Sequence, residues 1–87
     1  MKIKQGFMLR EVAGNYVVVA IGEASKNFNG VINLNESGAF LWKKLAEGIS
    51  KEDLLKALLD EYDVPEEIAV RDIDNFITKL KGSDILE

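Results

Sequence analysis

The sequence predicts an α+β fold, in which a three-stranded antiparallel sheet is followed by three helices. Up to about residue 34 the apolar residues form short β-branched and aromatic runs, and from residue 35 they recur at the 3.6-residue period of a helix. Strands that precede the helices, rather than alternating with them, indicate an antiparallel sheet covered by helices. With 87 residues, of which 47% are hydrophobic and 30% charged, the chain is expected to form one domain over residues 1–87.

The first two strands are predicted to form a hairpin. Phe7–Val12 and Tyr16–Ile21 consist mainly of β-branched, aromatic and aliphatic residues, and Ala13-Gly14-Asn15 supplies turn residues between them. The connection that follows is rich in Gly, Ser and Asn, and its Phe28 is expected to pack back onto the core. A third, short strand is predicted at Val31–Leu34.

The first two helices are predicted from their caps and their apolar spacing. Asn35 is expected to cap the first helix, which ends near Gly48, and Ser50 begins the capping-box pattern Ser-Lys-Glu-Asp of the second. The apolar positions at helical spacing are Ala39, Phe40, Trp42, Leu45 and Ala46 in the first helix and Leu54, Leu55, Leu58, Leu59 and Tyr62 in the second. This spacing makes Trp42 a core residue rather than a ligand-stacking one.

The third helix is predicted to begin with Pro65 in its first turns and to end near Lys81-Gly82. Its buried line is expected to consist of Ala69, Ile73, Phe76 and Leu80. After the helix, Ile85 and Leu86 are expected to pack as a tail.

The residue types that the sequence lacks exclude several kinds of chemistry. With no Cys and no His there is no Ser–His or Cys–His nucleophile pair, no imidazole base, and no thiolate or imidazole zinc site. The carboxylates of Asp60-Glu61, Asp63 and Glu66-Glu67 lack the spacing of a calcium loop and are typical of an exposed face around a helix start. We therefore expect no enzymatic activity and neither a metal nor another cofactor.

A winged-helix-like arrangement of these elements leaves a nucleic-acid-binding or transcriptional accessory domain as the alternative function. Residues 1–34 hold four basic and two acidic side chains, whereas residues 35–87 hold seven basic and thirteen acidic ones. The third helix, which would be the reading helix, carries Glu66, Glu67, Asp72 and Asp74 against Arg71, Lys79 and Lys81. Because phosphate contacts with basic side chains supply most nucleic-acid affinity, this balance argues against DNA or RNA as a partner.

The sequence also predicts where the protein is found. No stretch approaches the roughly 20 apolar residues of a membrane span, and the first six residues are too polar to open a secretion signal. We expect a cytoplasmic protein without a membrane partner.

A surface beside the third strand remains as a candidate binding site. If Val31–Leu34 lies at the sheet edge, its unpaired backbone groups can accept another strand, since no Pro or Lys within it blocks pairing. On the third helix, Val70 and Ile77 lie about 80–100° from the buried line, with Asp74 and Lys81 just beyond, and this shoulder is a candidate wall for a groove. The residue pattern alone favours a simpler interpretation, in which Val70 and Ile77 widen the buried stripe.

Three motifs occur in an order that is typical of one protein family. Residues 32–42, Ile-Asn-Leu-Asn-Glu-Ser-Gly-Ala-Phe-Leu-Trp, form an apolar strand that ends in Leu-Asn and leads through small residues to an aliphatic-Trp pair. Leu54–Tyr62 ends in Leu-x-x-x-Tyr, and Val70–Leu80 follows the pattern Val-x-Asp-Val-x-x-Phe-Leu-x-x-Leu with Ile in two places. Together, over about residues 7–86, they resemble the pyrroloquinoline-quinone biosynthesis protein D (PqqD) family; only the ending Gly82–Leu86 follows that family loosely.

The resemblance implies a non-catalytic adaptor for ribosomally made, modified peptides. Such recognition elements bind the leader segment of a precursor peptide as an added strand, along the third strand and against the third helix, and present it to a modifying enzyme, often of the radical S-adenosylmethionine (SAM) type. The implied peptide-binding residues are Val31, Ile32, Asn33 and Leu34 on the strand and Val70, Asp74, Ile77 and Lys81 on the helix. An Ile77→Asp change is then expected to weaken leader binding at least tenfold, about 1.4 kcal/mol, with the fold intact. The same edge strand would also allow a weak homodimer.

Overall fold

The structure, a computed structural model, describes residues 1–26 and 31–87. In these residues three strands precede three helices, so the predicted α+β fold is confirmed. Phe28, which was expected to pack onto the core, lies outside the described residues. The elements are β1 (Phe7–Val12), β2 (Asn15–Ala20), β3 (Ile32–Leu34), α1 (Glu36–Ala46), α2 (Lys51–Glu61) and α3 (Glu66–Gly82), with a short 3₁₀ helix at Gly22–Lys26.

The three strands form an antiparallel sheet in the order β1-β2-β3. The β1–β2 hairpin closes with Val12 opposite Asn15, so its loop is only Ala13-Gly14. Both loop residues have positive φ angles, 52° and 80°, as a type I′ turn requires. Glycine adopts this conformation freely, whereas the side chain of Ala13 makes it unfavourable at the first loop position.

The helix starts agree with the predicted caps. The side chain of Asn35 accepts a hydrogen bond from the Gly38 N–H (2.8 Å), and the Ser50 hydroxyl accepts one from the Asp53 N–H (3.1 Å). Pro65 differs slightly from the prediction, because it lies just before α3 as its N-cap residue rather than inside the helix. Proline fits there because its fixed φ suits the helix entry and its missing N–H would have had no intrahelical partner.

One hydrophobic core joins the inner face of the sheet to all three helices. Val18 of β2 and Leu45, Leu54 and Leu80 of the helices are completely buried. The other buried hydrophobic residues are Ile3, Ile32, Ala39, Leu41, Trp42, Leu58, Ala69, Ile73, Phe76, Ile77, Ile85 and Leu86. All four residues predicted for the buried line of α3 are therefore in the core. Ala46, which was predicted among the apolar positions of the first helix, is exposed because it is the last residue of α1, where the helix leaves the core.

The two ends of the described chain lie side by side. Ile3 and Leu86 form an antiparallel bridge, and the Lys4 N–H donates to the Ile85 carbonyl (2.8 Å). Lys4 also forms an ion pair with Asp84 at 2.6 Å. The predicted packing of the tail is confirmed, since Ile85 is completely buried and Leu86 nearly so. Within the described residues, none of the helices combines the length and apolar character that crossing a bilayer requires.

Candidate functional site

The register of the hairpin determines which residues of β2 direct their backbone N–H and C=O groups to β1 and which direct them to β3. The Ile21 N–H donates to the Gly6 carbonyl (2.7 Å), and the two-residue loop makes Val12 and Asn15 a hydrogen-bonded pair. Because hydrogen-bonded and non-hydrogen-bonded pairs alternate along an antiparallel ladder, the odd-numbered residues of β2 direct their N–H and C=O groups to β1. The even-numbered residues of β2 are left to pair with β3.

This alternation leaves one residue of β3 with both backbone groups on the open side. Tyr16 lies opposite Leu34 and Val18 opposite Ile32, so these are the hydrogen-bonded pairs between β2 and β3. Asn33 lies between them, and its N–H and C=O therefore point away from β2. Since β3 is the last strand of the sheet, the Asn33 groups face the open edge.

A contact from α3 independently shows the direction of the Asn33 carbonyl. The Lys79 ammonium donates to this oxygen at 3.4 Å, a long hydrogen bond made by an exposed side chain. Among the contacts of the described residues, it joins the open side of β3 directly to α3. A lysine beside an edge strand is a common feature of natural sheets, where it discourages pairing with other chains.

A groove of about 320 Å³ lies between β3, the start of α1 and α3. Leu34, Leu41 and Phe76 form its apolar part. Its polar part consists of Asn33, Asn35, Ser37, Asp72, Asn75 and Lys79. Gly38 lines the groove as well, and a Cβ at this position would come within 3.1 Å of the Asn35 side-chain oxygen and 3.3 Å of the Leu34 Cβ. The glycine thus lets the end of β3 lie close against α1.

The wall that α3 contributes to this groove differs from the predicted one. Residues Asp72, Asn75, Phe76 and Lys79 face β3. Nine residues at about 100° each separate Val70 from Lys79, so the two lie on opposite sides of the helix. The core line runs between these two shoulders, and β3 lies beside the shoulder of Lys79.

Val70 and Asp74, which were predicted for the groove wall, face α2 instead. The Asp74 carboxylate forms an ion pair with Lys51 at the start of α2. Val70 is 37% exposed and lines a separate, mostly apolar cavity of about 370 Å³ together with Lys51, Leu55 and Ile73. The structure therefore does not bring Val70 or Asp74 together with β3, and neither residue lines the groove.

Ile77 and Lys81 also lie outside the residues that line the groove. Ile77 is 7% exposed and belongs to the core, so for this residue the simpler interpretation, a widened buried stripe, describes the structure. An Ile77→Asp change would place a carboxylate in the core, and it is not a test of binding with the fold intact. Lys81 is exposed.

Two of the four predicted strand residues line the groove, and the other two do not. Asn33 and Leu34 line the groove, Val31 is 56% exposed just before the strand, and Ile32 is buried in the core. Their role in binding a peptide stays a prediction. For the helix, the motif at Val70–Leu80 could have identified two groove residues that the prediction did not include. Its Asp and Phe positions correspond to Asp72 and Phe76, which line the groove.

A second cavity of about 320 Å³ adjoins the groove beside Asp72. Asn35, Glu36, Ser37 and Asp72 line it together with Leu58, Tyr62 and Val64 of α2 and the loop that follows. The ring of Tyr62 packs edge-on against Phe40 at 5.7 Å between ring centroids. Partial desolvation, followed by the carboxylates of Glu36 and Glu61, raises the pKa of the Tyr62 phenol above its ordinary value of 10.0.

The groove offers hydrogen-bond donors, acceptors and charge. Among residues 1–26 and 31–87, no three Asp or Glu side chains lie close enough together to hold a metal ion. No buried side-chain nitrogen or oxygen in this part of the chain lacks a partner. The arrangement is suited to holding an extended chain beside β3.

Comparison with known proteins places this geometry in a family. Residues 7–86 match the sequence pattern of the protein family described as coenzyme PQQ synthesis protein D (PqqD). TbiB1, solved in complex with the TbiA(beta) leader peptide, has 24% sequence identity and a TM-score of 0.78, and the match covers 100% of this chain and 95% of TbiB1. Lasso peptide synthetase B1, solved with the leader peptide, has 23% identity and a TM-score of 0.73, over 97% of this chain and 93% of that one. Among curated proteins there is no match. These two likenesses show a shared fold, and because the family description spans nearly the whole sequence, the chain belongs to the PqqD family.

Proposed function

We propose that the protein is a non-catalytic adaptor that binds the leader segment of a precursor peptide as an added strand along β3, in the groove between β3 and α3. The observation that carries the proposal is the orientation of Asn33, whose N–H and C=O both face the groove from the edge of the sheet. A chain laid beside β3 would exchange two hydrogen bonds with this residue, as in other cases of β-augmentation.

The family and the structural neighbours support the same function. The chain matches PqqD over residues 7–86, and both neighbours that share the fold were solved with leader peptides bound. What those proteins bind supports a leader peptide as the partner here.

Backbone pairing alone supplies only part of the affinity that such an adaptor needs. Two hydrogen bonds at about 0.5–1.5 kcal/mol each contribute roughly 1–3 kcal/mol, whereas a micromolar Kd corresponds to about 8 kcal/mol. The remaining affinity must come from leader side chains that fill the groove over Leu34, Leu41 and Phe76. Selectivity among leaders therefore lies in these side chains.

The second partner in this proposal is a peptide-modifying enzyme. The family resemblance favours an enzyme of the radical SAM type, whereas one structural neighbour is named lasso peptide synthetase B1. The fold by itself is thus compatible with more than one kind of modification. Because the precursor is made by ribosomes, this function places the adaptor in the cytoplasm.

A binding screen tests the proposed function. Fluorescently labelled leader segments of the short peptides encoded beside this chain are titrated with the protein, and the segments that undergo modification serve as controls of similar length. We expect saturable binding of one leader and at least tenfold weaker binding of its control segment. If no leader binds, or if leader and control bind equally, the proposed function is wrong.

The alternative functions are measured on the same sample. A labelled DNA duplex at low salt tests nucleic-acid binding, which would weaken steeply as salt is raised. Analytical ultracentrifugation tests for a homodimer formed through β3, which would compete with leader binding. Binding of the duplex in preference to every leader would favour a nucleic-acid-binding role.

A further inference from the structure

The two ends of the α3 wall carry opposite charges. Asp72 and Lys79 both line the groove and both are exposed. Seven residues separate them, which corresponds to about two helical turns or roughly 10.5 Å. No ion pair joins either residue to another side chain within the described residues. The apolar Phe76 lies between them on the same wall.

The position of these charges relative to β3 gives the groove a direction. Lys79 reaches the carbonyl of Asn33 within the strand. Asp72 also lines the neighbouring cavity with Asn35, Glu36 and Ser37, where β3 has ended and α1 begins. Across the groove, α3 therefore runs opposite to β3, and its acidic end lies at the end of the strand. Glu36 adds a second carboxylate at this end.

The direction of an added strand follows from the sheet. All pairings in the described sheet are antiparallel, and antiparallel pairs are the commoner kind. A strand added antiparallel to β3 runs in the same direction as α3. Its earlier residues then pass Asp72, and its later residues pass Lys79.

The spacing of the side chains follows from strand geometry. Side chains on one face of a strand recur every second residue, so three successive ones span about 13 Å. This length matches the distance from Asp72 to Lys79 when the reach of long charged side chains is included. The middle of the three lies beside Phe76, where an apolar side chain packs best.

We propose, on the basis of the proposed function, that the groove selects leader segments with the charge order basic-x-apolar-x-acidic from the N-terminal to the C-terminal end. The basic side chain pairs with Asp72, the apolar one packs on Phe76, and the acidic one pairs with Lys79.

The contact between Lys79 and Asn33 explains why the acidic position is selected. In the free protein the Lys79 ammonium donates a hydrogen bond to the Asn33 carbonyl. An added strand donates its own N–H to the same oxygen and brings its side chains close to the ammonium. An acidic leader side chain at this place gives the ammonium a stronger, charge-assisted partner. A basic side chain at this place leaves two ammonium groups close together.

A display selection with a library of random twelve-residue peptides tests the charge order whichever leader the protein binds. The selection is run on the wild type, on the charge swap Asp72→Lys/Lys79→Glu, and on the matched swap Asp74→Lys/Lys81→Glu outside the groove. Each double variant keeps the net charge, and circular dichroism verifies that each remains folded.

We expect the wild type and the Asp74→Lys/Lys81→Glu variant to enrich basic-x-apolar-x-acidic segments, and the Asp72→Lys/Lys79→Glu variant to enrich the reverse order. For a selected peptide and a version with its two charges exchanged, we expect wild-type Kd values that differ at least tenfold. The absence of any enriched charge order, or the same order from the wild type and the groove swap, would overturn the proposal.

The encoded leaders separate this proposal from the proposed function. If a leader binds the wild type and the Asp72→Lys/Lys79→Glu variant equally well, strand addition stands and the charge order is wrong. If none of the leaders binds, the proposed function fails by itself.

Discussion

Removing the N–H of Asn33 is the sharpest perturbation of the proposed binding mode. An Asn33→Pro change deletes this donor, and the ladder between β2 and β3 does not use it, since the hydrogen-bonded pairs are those of Ile32 and Leu34. Proline is tolerated at sheet edges when its nitrogen faces the open side. We therefore expect a folded protein whose free energy of unfolding changes by no more than about 1 kcal/mol.

Leader binding, in contrast, loses a hydrogen bond and leaves a leader carbonyl without its donor. A buried acceptor without a partner costs about 1–3 kcal/mol, which corresponds to roughly a 5- to 150-fold increase in Kd. Fluorescence anisotropy with the leader found in the binding screen measures this change. An Asn33→Ala variant keeps the N–H and is expected to bind within about threefold of the wild type.

Two results would contradict the described role of the Asn33 N–H. A folded Asn33→Pro protein that binds the leader like the wild type would show that this N–H takes no part in binding. Unfolding of the Asn33→Pro protein would show that the N–H is part of the ladder to β2. As a positive control for ladder disruption, Leu34→Pro removes an N–H that does pair with β2 and is expected to destabilise the fold markedly.

Further expectations concern the fold and its titration. Ala13→Asn replaces a residue at φ 52° by one that tolerates this conformation, so thermal unfolding is expected to show a gain of about 0.5–1 kcal/mol; an unchanged or lower midpoint would contradict the turn geometry. Leu45 is completely buried, and urea unfolding of Leu45→Ala is expected to show a loss of about 2–5 kcal/mol; a loss below 1 kcal/mol would contradict its burial. Folding raises the pKa of the Tyr62 phenol above its ordinary value of 10.0, so the free energy of unfolding falls as the pH rises above about 10. An absorbance titration is expected to show a raised pKa that Glu36→Gln lowers, and an unshifted phenol would contradict the described environment.

The sequence predicted the elements well because their signals are local. The capping roles of Asn35 and Ser50 depend on residues within one helical turn, and the structure has both hydrogen bonds. The hairpin follows from two apolar runs around Ala13-Gly14, and its boundaries agree within one residue. The buried line of α3 follows from helical periodicity, which identifies one face whatever covers it.

The sequence predicted the groove wall on the shoulder of α3 that carries Val70 and Asp74, whereas the residues that line the groove lie on the other shoulder. Helical periodicity identifies the buried face of a helix but not which neighbouring element covers each side of it. A helical wheel gives two shoulders beside the core line, one carrying Val70 and Asp74 and the other Asp72 and Lys79. Which of them lies beside β3 depends on how α1 and α2 pack. The ion pair of Lys51 with Asp74 shows that α2 lies beside the shoulder of Val70 and Asp74. The bridge between Ile3 and Leu86 was missed for a similar reason, since it joins distant parts of the sequence.

Amide hydrogen exchange at Asn33 tests strand addition to β3 most directly. In the free protein this N–H faces the open groove, so it is expected to exchange fast, while those of Ile32 and Leu34 are protected by β2. With saturating leader peptide, exchange at Asn33 is expected to slow at least tenfold, because the N–H becomes bonded to the added strand. Unchanged, fast exchange at Asn33 in the saturated complex would contradict strand addition at β3.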